Sequence, residues 1–369
     1  MTAPDFVAET PPVSARRRAT LYGVVAFSGF VVLIGLLQQL APGGFDISRL
    51  TGGVITFDTM VRIGILTTVV VGLNLLMGYA GQVSLGQAAF FGIGAYVSAI
   101  LTTRADVLGI GAGLANQWWW PWLLIVGGMA LAGGVAYLVG RPILKLHGHY
   151  LAMATLGLGI IIVIVFRENF GYSLGSRNIT GGFDGLYGVP RLRIGSFDLW
   201  PVERYYYLVW LVAIVGIVLA LNLVRSRSGR ALRALHGNEL AAETLGIDTA
   251  RFKVRVLVIS AMYASLAGSL FAHFRVAVSP GPFGFAASLE LVVMAAVGGM
   301  ASVWGAPFGV AAVLVVRELL RTHLGSLVGE AGGQQEVVAF GLMLVLIMIF
   351  MPEGVIARLK QATRRWRSE

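Results

Sequence analysis

Residues 72–96 read GLNLLMGYAGQVSLGQAAFFGIGAY, an apolar segment that is interrupted by glycines and a few uncharged polar side chains. It joins two apolar runs, at 61–79 and 83–102, each close to the length of about 20 residues that crosses a bilayer. Glycine and polar side chains at such a junction favour backbone that leaves the helix. A membrane tolerates unwound backbone only where it lines a cavity or is buried in protein. The segment therefore predicts a broken membrane helix.

The composition of the whole chain indicates a membrane protein. Of the 369 residues, 57% are hydrophobic and only 12% are charged, and the mean hydropathy is +0.79. A soluble domain carries about 25% charged residues, so this chain has too little charge to cover a water-facing surface. We predict an all-α fold, a polytopic transmembrane helical bundle of about ten spans that includes short or broken helices.

The apolar runs define these spans, and two pairs of runs are barely separated, around 79–84 and 300–304. We expect one or both of the short segments at 288–300 and 304–320 to be half-spans that turn within the protein. The runs cover 21–40, 61–79, 83–102, 119–140, 150–166, 205–224, 256–274, 288–300, 304–320 and 336–351.

Basic residues are concentrated in the polar segments between these runs. Segment 225–255 carries seven of them and the tail after Met351 carries five. The triplet Arg16-Arg17-Arg18 precedes the first run, and Arg141 and Lys145 mark another short loop. Positively charged loops stay on the cytoplasmic side of a membrane, and ten crossings place all of these segments there. This placement explains the net charge of +10 without nucleic acid as a partner.

The predicted domain organisation follows from these crossings. Residues 1–20 form a cytoplasmic N-terminal tail, 21–351 a transmembrane domain and 352–369 a basic cytoplasmic tail, in the inner membrane of a bacterium. The loop at 167–204, which is rich in glycine, then faces the periplasm and is expected to be an ordered cap or a docking surface. The loop at 225–255 faces the cytoplasm.

Several kinds of chemistry are excluded or unsupported. The chain has no cysteine, which excludes disulfides and thiolate chemistry. The dipeptide Gly-Lys never occurs, so the chain has no P-loop of its own for ATP. The five histidines show no zinc-ligand spacing, and no Ser/His/Asp grouping stands out. We therefore expect part of a transporter rather than an enzyme, with no metal and no cofactor.

A second glycine-interrupted segment, 299–309, echoes residues 81–92 of the first. Both read Gly-x-x-Ser, then Gly, then Phe-Gly at nearly matched spacing. Corresponding breaks in two halves of a transporter point to a pathway at a repeat interface, although coincidence fits equally well in a chain with 49 glycines. Ionisable residues within membrane runs are costly and often functional. Interfacial pairing is the simpler explanation for Asp58, Arg62, Arg317 and Glu318, while Glu290 fits either role. The pathway candidates are Asn74, Gln82, Ser84, Gln87, Thr155 and Glu290.

The cytoplasmic loop contains SGRALRALHGNELAAETLGIDTARFKVR, residues 228–255. A basic amphipathic helix is followed by Asn238, which can cap a short helix from Glu239 to Leu245, and Gly246 can end that helix. The loop is either an ordinary solvated connection or a compact docking element for a cytoplasmic partner. The candidates for docking and coupling are Arg230, Arg233, Asn238, Glu239, Ala241, Ala242 and Gly246.

This loop resembles the coupling loop of ABC importer permeases, in which Glu-Ala-Ala is followed after three residues by Gly. The chain has Leu240 at the first position and keeps Ala241, Ala242 and Gly246. From about Val61 to Pro352 the chain resembles the high-affinity branched-chain amino acid permease family, in its LivM-like branch. The matching blocks are residues 72–96, GHYLAMATLGLG from Gly148, TGGFDGLYGVP from Thr180 and SLELVVMAAVGGMASVWGAPFG from Ser288.

The resemblance implies a transmembrane permease subunit that lacks its own ATPase. It implies four partners: a second related permease chain in a heterodimer, two cytoplasmic ATP-binding subunits and a periplasmic substrate-binding protein. The segment from Glu239 to Gly246 would then be the coupling helix. ATP-driven closure of the ATPases would move the permease between inward-open and outward-open states.

The chain departs from the family pattern at several positions. Gln87 stands where His is usual, Ile160 where an acid is usual and Val163 near a usual basic position. Asp184 replaces an Asn, and residues 173–178 resemble an insertion. These departures leave the solute open between branched-chain amino acids and urea, amides, carboxylic acids or sugars. A stand-alone secondary transporter is the remaining alternative.

Overall fold

The computed structural model describes residues 13–40, 55–105, 117–144, 149–169, 179–300, 302–328 and 341. Four features of the sequence lie outside these residues: the expected span at 336–351 apart from residue 341, the basic tail at 352–369, Lys145, and the segment 173–178 that resembles an insertion. The chain forms two units, residues 1–46 and 47–369. In the first, helix α1 spans Val13–Leu40 and exposes large apolar side chains such as Leu21 and Phe30, as a lipid-facing helix does.

The second unit is a helical bundle with two short two-stranded sheets. Its elements, in chain order, are α2 Phe57–Leu73, a π-helical turn Asn74–Tyr79, α3 Gln87–Thr103, α4 Trp120–Ile143, α5 His149–Arg167, β1 Leu186–Tyr187, β2 Arg193–Ile194, β3 Phe197–Asp198, α6 Val202–Arg225, α7 Arg227–Gly237, α8 Glu239–Thr244, α9 Thr249–Arg275, β4 Ala277–Val278, a 3₁₀ turn Gly281–Phe283, α10 Phe285–Gly298 and α11 Gly305–Val328.

The helical membrane bundle predicted from the sequence is confirmed. Among the described helices, five are long and apolar enough to cross a membrane: Phe57–Tyr79, Trp120–Ile143, Tyr150–Arg167, Val202–Arg225 and Thr249–Arg275. Shorter apolar helices cover Leu21–Leu37, Gln87–Thr103 and Phe285–Gly298.

Two boundaries differ from the apolar runs. The run at 83–102 begins its helix only at Gln87, because the preceding residues 81–86 are not helical. Helix α10 has 14 residues and so rises about 21 Å, less than the roughly 30 Å of a bilayer core. It packs antiparallel to α11, since Gly298 contacts both Gly305 and Gly309. The pair forms a helical hairpin, and the short length of α10 agrees with the expected short or broken helix.

Helix α9 lies at the centre of the bundle and packs closely on α3. A methyl group on Gly94 would lie 1.9 Å from the backbone oxygen of Ser265, and one on Gly268 would lie 1.8 Å from that of Phe91. The Ser269 hydroxyl donates to the backbone oxygen of Gly94 at 3.0 Å. Membrane helices associate through such close backbone contacts because lipid provides little hydrophobic drive between them.

The two ends of the bundle carry different structures. At one end, here called the cap end, β1 pairs with β4, and His273 Nδ1 donates to the backbone oxygen of Pro190 at 2.6 Å. The loop that the sequence suggested as an ordered cap is therefore fastened to the end of α9, over its described part 179–201. At the other end, here called the knob end, α7 and α8 form a compact pair that leads into the start of α9.

Candidate functional site: two helix breaks, a cavity and a docking knob

The first helix break comprises the π-helical turn Asn74–Tyr79 and the non-helical stretch 80–86 that follows it and leads to α3. Gly81 has φ +68°, which other residues rarely adopt. The backbone N–H groups that the break leaves free are bonded by side chains: Leu85 N–H donates to Thr155 Oγ1 at 3.1 Å, and Ala88 N–H donates to Ser288 Oγ at 3.1 Å. Neighbouring helices thus stabilise the unwound backbone within the bundle.

The second helix break lies between α10 and α11, where Gly299 has φ +92°. It contacts the first break directly. The Asn74 amide Nδ2 donates to the backbone oxygen of Ser302 at 3.2 Å, and a methyl group on Gly78 would lie 1.7 Å from the backbone oxygen of Met300. The two glycine-interrupted segments of the sequence are therefore neighbours in space, and we call residues 74–86, 299, 300 and 302–304 the break layer.

Five of the six pathway candidates lie buried in or beside the break layer. Both amide atoms of Gln87 are hydrogen-bonded, because its Nε2 donates to the backbone oxygen of Ser260 at 3.0 Å and its Oε1 accepts from the Ser260 hydroxyl at 3.3 Å. Among the described residues, neither amide atom of Gln82 nor the Ser84 hydroxyl has a hydrogen-bond partner. Buried polar atoms left unpaired cost about 1–3 kcal/mol each. The other buried candidates are Asn74 and Thr155.

The sixth candidate, Glu290, lies apart from the break layer in a cavity of about 510 Å³ at the cap end. We call it the arginine cavity. Glu290 is 23% exposed and pairs with Arg317 at 3.0 Å, which joins α10 to α11. The cavity is bounded by α2, α3, α9, α10 and α11, and its lining includes Arg62, Phe91, Phe271, Arg275, Glu290, Met294, Arg317 and Arg321. Sequence reasoning identified Glu290 but not the cavity, since its walls come from five helices.

Asp58 interacts electrostatically with Arg62, four residues later, and also has an ion-pair partner on another helix. Its carboxylate lies 3.7 Å from Arg275, the last residue of α9. Both side chains are about half exposed, so this pair contributes little to stability. It does place two charged groups at the mouth of the arginine cavity.

At the knob end, the predicted cap and stop of helix α8 are both present. Asn238 accepts from Ala241 N–H at 3.1 Å. Gly246, at φ +78°, completes a Schellman motif in which Ile247 N–H donates to Ala242 O at 3.1 Å. Glu239 is bonded to Lys253 of α9, and Ala242 is buried. Helix α8 is therefore firmly held against α9.

The surface of this knob presents two leucines that sequence reasoning did not select. Leu240 is 75% exposed and Leu245 is 79% exposed, whereas the predicted Ala242 faces inward. Of the predicted arginines, Arg230 is exposed, and Arg233 donates to the backbone oxygen of Val224 at 3.4 Å and so binds the end of α6. The sequence feature that could have identified these leucines is the presence of two apolar side chains in a short polar segment.

The knob also contacts the break layer. A methyl group on Gly81 would lie 2.8 Å from His236 Nδ1 of α7, so the helix and the first break are in direct contact. Tyr79 is hydrogen-bonded to the backbone of Val303 in the second break and lies within electrostatic reach of Arg233. Helix α7 is therefore adjacent to both breaks.

Comparisons with known proteins agree with this architecture. Residues 55–352 match the family model described as branched-chain amino acid transport system / permease component. The chain is 32% identical to the high-affinity branched-chain amino acid transport system permease protein LivM of Escherichia coli, over 88% of this chain and 74% of the relative. It is 26% identical to the corresponding LivH protein of Escherichia coli, over 79% of this chain and 90% of the relative.

An archaeal relative extends the likeness. The probable branched-chain amino acid transport permease protein LivM of Methanocaldococcus jannaschii is 24% identical, over 79% of this chain and 90% of that protein. No solved structure matches the chain. The family match spans both helix breaks, the knob and the arginine cavity, and the chain is a multi-pass membrane protein that belongs to the permease family of branched-chain amino acid transport systems.

Proposed function

We propose that the chain is one of two membrane subunits of an ATP-driven importer for branched-chain amino acids or a related small solute. The observation that carries this proposal is the contact between the knob and the break layer, at Gly81 and His236. The exposed leucines of α8 provide a docking surface outside the membrane, and the breaks provide the unwound backbone on which a solute pathway is built. The knob connects this docking surface to the two breaks.

The proposed orientation places the knob end in the cytoplasm and the cap end in the periplasm of a bacterial inner membrane. The basic residues of 225–255 support it, because positive loops remain cytoplasmic. With the hairpin of α10 and α11 counted as two crossings, both termini are cytoplasmic. The proposed domains are then the tail 1–20, the permease domain 21–351 and the basic tail 352–369.

The proposed partners follow from the similarity to two permease proteins and from the lack of a P-loop in this sequence. The likeness to both LivM and LivH supports a heterodimer of two related permease chains. Because the sequence contains no Gly-Lys dipeptide, and so no P-loop, two separate ATP-binding subunits supply the energy. A periplasmic binding protein delivers the solute to the cap end. Closure of the ATPases displaces α8, and α7 transmits the movement to the break layer.

Reconstitution tests this function. The complex of the two permeases and two ATPase subunits, placed in proteoliposomes with binding protein and radiolabelled leucine, is expected to accumulate leucine only when ATP is supplied. A thermal-shift screen of the binding protein against amino acids, amides, urea, sugars and organic acids identifies the solute if leucine is not taken up. Uptake by the permease chains in the absence of ATPase subunits would establish a secondary transporter instead.

Replacing Leu240 and Leu245 together with serine should weaken binding of the ATPase subunits. Each leucine is more than 70% exposed, and burying such a side chain contributes about 1.5–3 kcal/mol. The double variant should therefore raise the Kd for the ATPase by at least about a hundredfold, measured by titration in detergent. Leu240→Met, which keeps the apolar surface, is the control. Unchanged affinity in the double variant would show that the ATPase does not bind the knob through these two leucines.

Replacing Gly246 with valine should reduce uptake per ATP hydrolysed. At φ +78° a β-branched residue is strained, although a methyl group there would meet nothing within 4 Å. The strain, of about 1–3 kcal/mol, acts on the end of α8 and displaces Leu245. Gly237→Val is the matched control, since Gly237 also has open space around it but no positive φ. Equal coupling ratios in the two variants would remove Gly246 from the coupling element.

A further inference from the structure

The arginine cavity carries an excess of positive charge inside the bundle. Four arginines and one carboxylate line it: Arg62, Arg275, Arg317, Arg321 and Glu290. Two more acids lie close by, since Asp58 pairs with Arg275 and Glu318 interacts electrostatically with Arg62. Four positive charges against these three negative ones leave an excess of one. Ionisable side chains within membrane spans are costly unless they face a water-filled cavity or a counter-charge.

The arginines are placed at different depths. Arg62 lies in the second turn of α2 and is half-buried, whereas Arg275 is 52% exposed at the cavity mouth. Arg317 is 40% exposed and its Nη1 contacts one oxygen of Glu290 at 3.0 Å. A guanidinium presents five donors in a fork that matches a carboxylate, and the contact with Glu290 shows that Arg317 binds a carboxylate within this cavity. Arg317 and Arg62 are thus the inner cationic groups of the cavity.

The floor of the cavity is apolar. The rings of Phe91 and Phe271 lie 5.4 Å apart, centroid to centroid. A volume of about 510 Å³ falls in the range of small-molecule sites, 300–1,000 Å³. Ala88, in the first turn of α3, also lines it, so the floor adjoins the break layer. A cavity lined by both charged groups and apolar surface matches a small solute with one charged and one apolar end. The other apolar lining residues are Ile65, Leu66, Leu291, Met294 and Leu314.

We propose that the arginine cavity is a solute-binding site that recognises the carboxylate of a small apolar carboxylic acid through Arg317 and Arg62. The solute carboxylate takes the place of Glu290 on Arg317. When the solute is an α-amino acid, Glu290 then accepts a hydrogen bond from its ammonium group. This assignment rests on the proposed importer function and names the solute chemistry and the residues that read it.

Solute analogues test separately whether the site recognises the carboxylate and the ammonium group of the solute. The test uses the complete complex with its ATPase subunits in nanodiscs, without ATP and without binding protein, so that only the permease site is measured. Radiolabelled leucine and 4-methyl-2-oxopentanoate, which lacks the ammonium group, are the two probes. Isopentylamine, which lacks the carboxylate, is the competitor that should fail. We expect saturable binding of both probes and no displacement of either by isopentylamine.

Variants of Arg317 and Glu290 test which side chain binds each group of the solute. Arg317→Gln should weaken binding of both probes by at least about tenfold, as expected for the loss of a hydrogen bond to a charged group. Glu290→Gln should weaken leucine but not the oxo acid. The double variant Glu290→Gln/Arg317→Gln removes both charges at once and so avoids an unpaired carboxylate; it should assemble and still fail to bind. Arg167→Gln, an exposed arginine at the cap end outside the cavity, is the matched control.

Two results would overturn the site. One is binding by the double variant that equals wild type, which would make the pair a structural clamp between α10 and α11. The other is the absence of saturable binding of either probe to the wild-type complex. Proteoliposome uptake separates these outcomes from the proposed function: ATP-dependent leucine uptake that is unaffected in all cavity variants would retain the importer and reject the site.

Discussion

Replacing Gly268 with valine should prevent the bundle from assembling. A methyl group at this position would lie 1.8 Å from the backbone oxygen of Phe91, and valine adds two further methyl groups. Over-packing costs about 1–3 kcal/mol when side chains can adjust, and occasionally more. Here the opposing atom is backbone, so α9 and α3 would have to separate along their whole contact. We expect the variant to be degraded or aggregated in membranes, measured as loss of the monodisperse peak in detergent.

Gly134 offers the matched control for this prediction. It lies within α4, and a methyl group there would meet nothing within 4 Å. Gly134→Val carries the same change of side chain inside a membrane helix and should leave the yield of folded protein nearly unchanged. Equal yields of the Gly268 and Gly134 variants would contradict the close packing of α9 on α3.

Replacing Gly78 with alanine should abolish transport while the chain still reaches the membrane. The added methyl group would lie 1.7 Å from the backbone oxygen of Met300, so the two helix breaks could not keep their contact. Separating them also removes the hydrogen bond from Asn74 to Ser302. The close contacts of α9 with α3 and α4, at Gly94, Gly268 and Gly128, lie outside the break layer, so we expect the bundle to assemble. We expect uptake to fall below about a hundredth of wild type, a barrier increase of about 2.7 kcal/mol or more.

The readouts for this variant distinguish a pathway defect from misfolding. Binding of the ATPase subunits should be retained, because the leucines of α8 lie at the knob. Gly157→Ala is the control, since a methyl group at Gly157 in α5 meets nothing within 4 Å. Wild-type uptake by the Gly78 variant would show that the contact between the breaks is dispensable for transport.

The membrane class, the helix breaks and the caps of α8 were predictable because each depends on neighbouring residues. Apolar length decides whether a segment spans a bilayer, and Gly81 and Gly299 adopt positive φ where glycine permits it. Asn238 and Gly246 cap and stop a six-residue helix through bonds to residues no more than five positions away. Local patterns of this kind retain their meaning in any surrounding fold.

The roles of individual polar residues were less predictable. Gln87 and Gln82 have the same side chain, five positions apart, yet Gln87 bonds to Ser260 while Gln82 has no partner among the described residues. Ala242 fits the family pattern of the coupling loop but is buried, while the exposed apolar surface belongs to Leu240 and Leu245. Which side of a short helix faces inward depends on what it packs against. Helix α8 packs against α9, where Lys253 pairs with Glu239.

Composition and spacing establish from the chain alone that this protein is a membrane bundle with two broken segments and a basic knob. The meeting of the two breaks and the arginine cavity required the folded bundle. Asn74 and Ser302 are separated by 228 positions, and Glu290 and Arg317 by 27. Glycine-mediated packing of the central helices brings such pairs together, and contacts between distant residues leave no periodic trace in the sequence because each partner is positioned by a different helix.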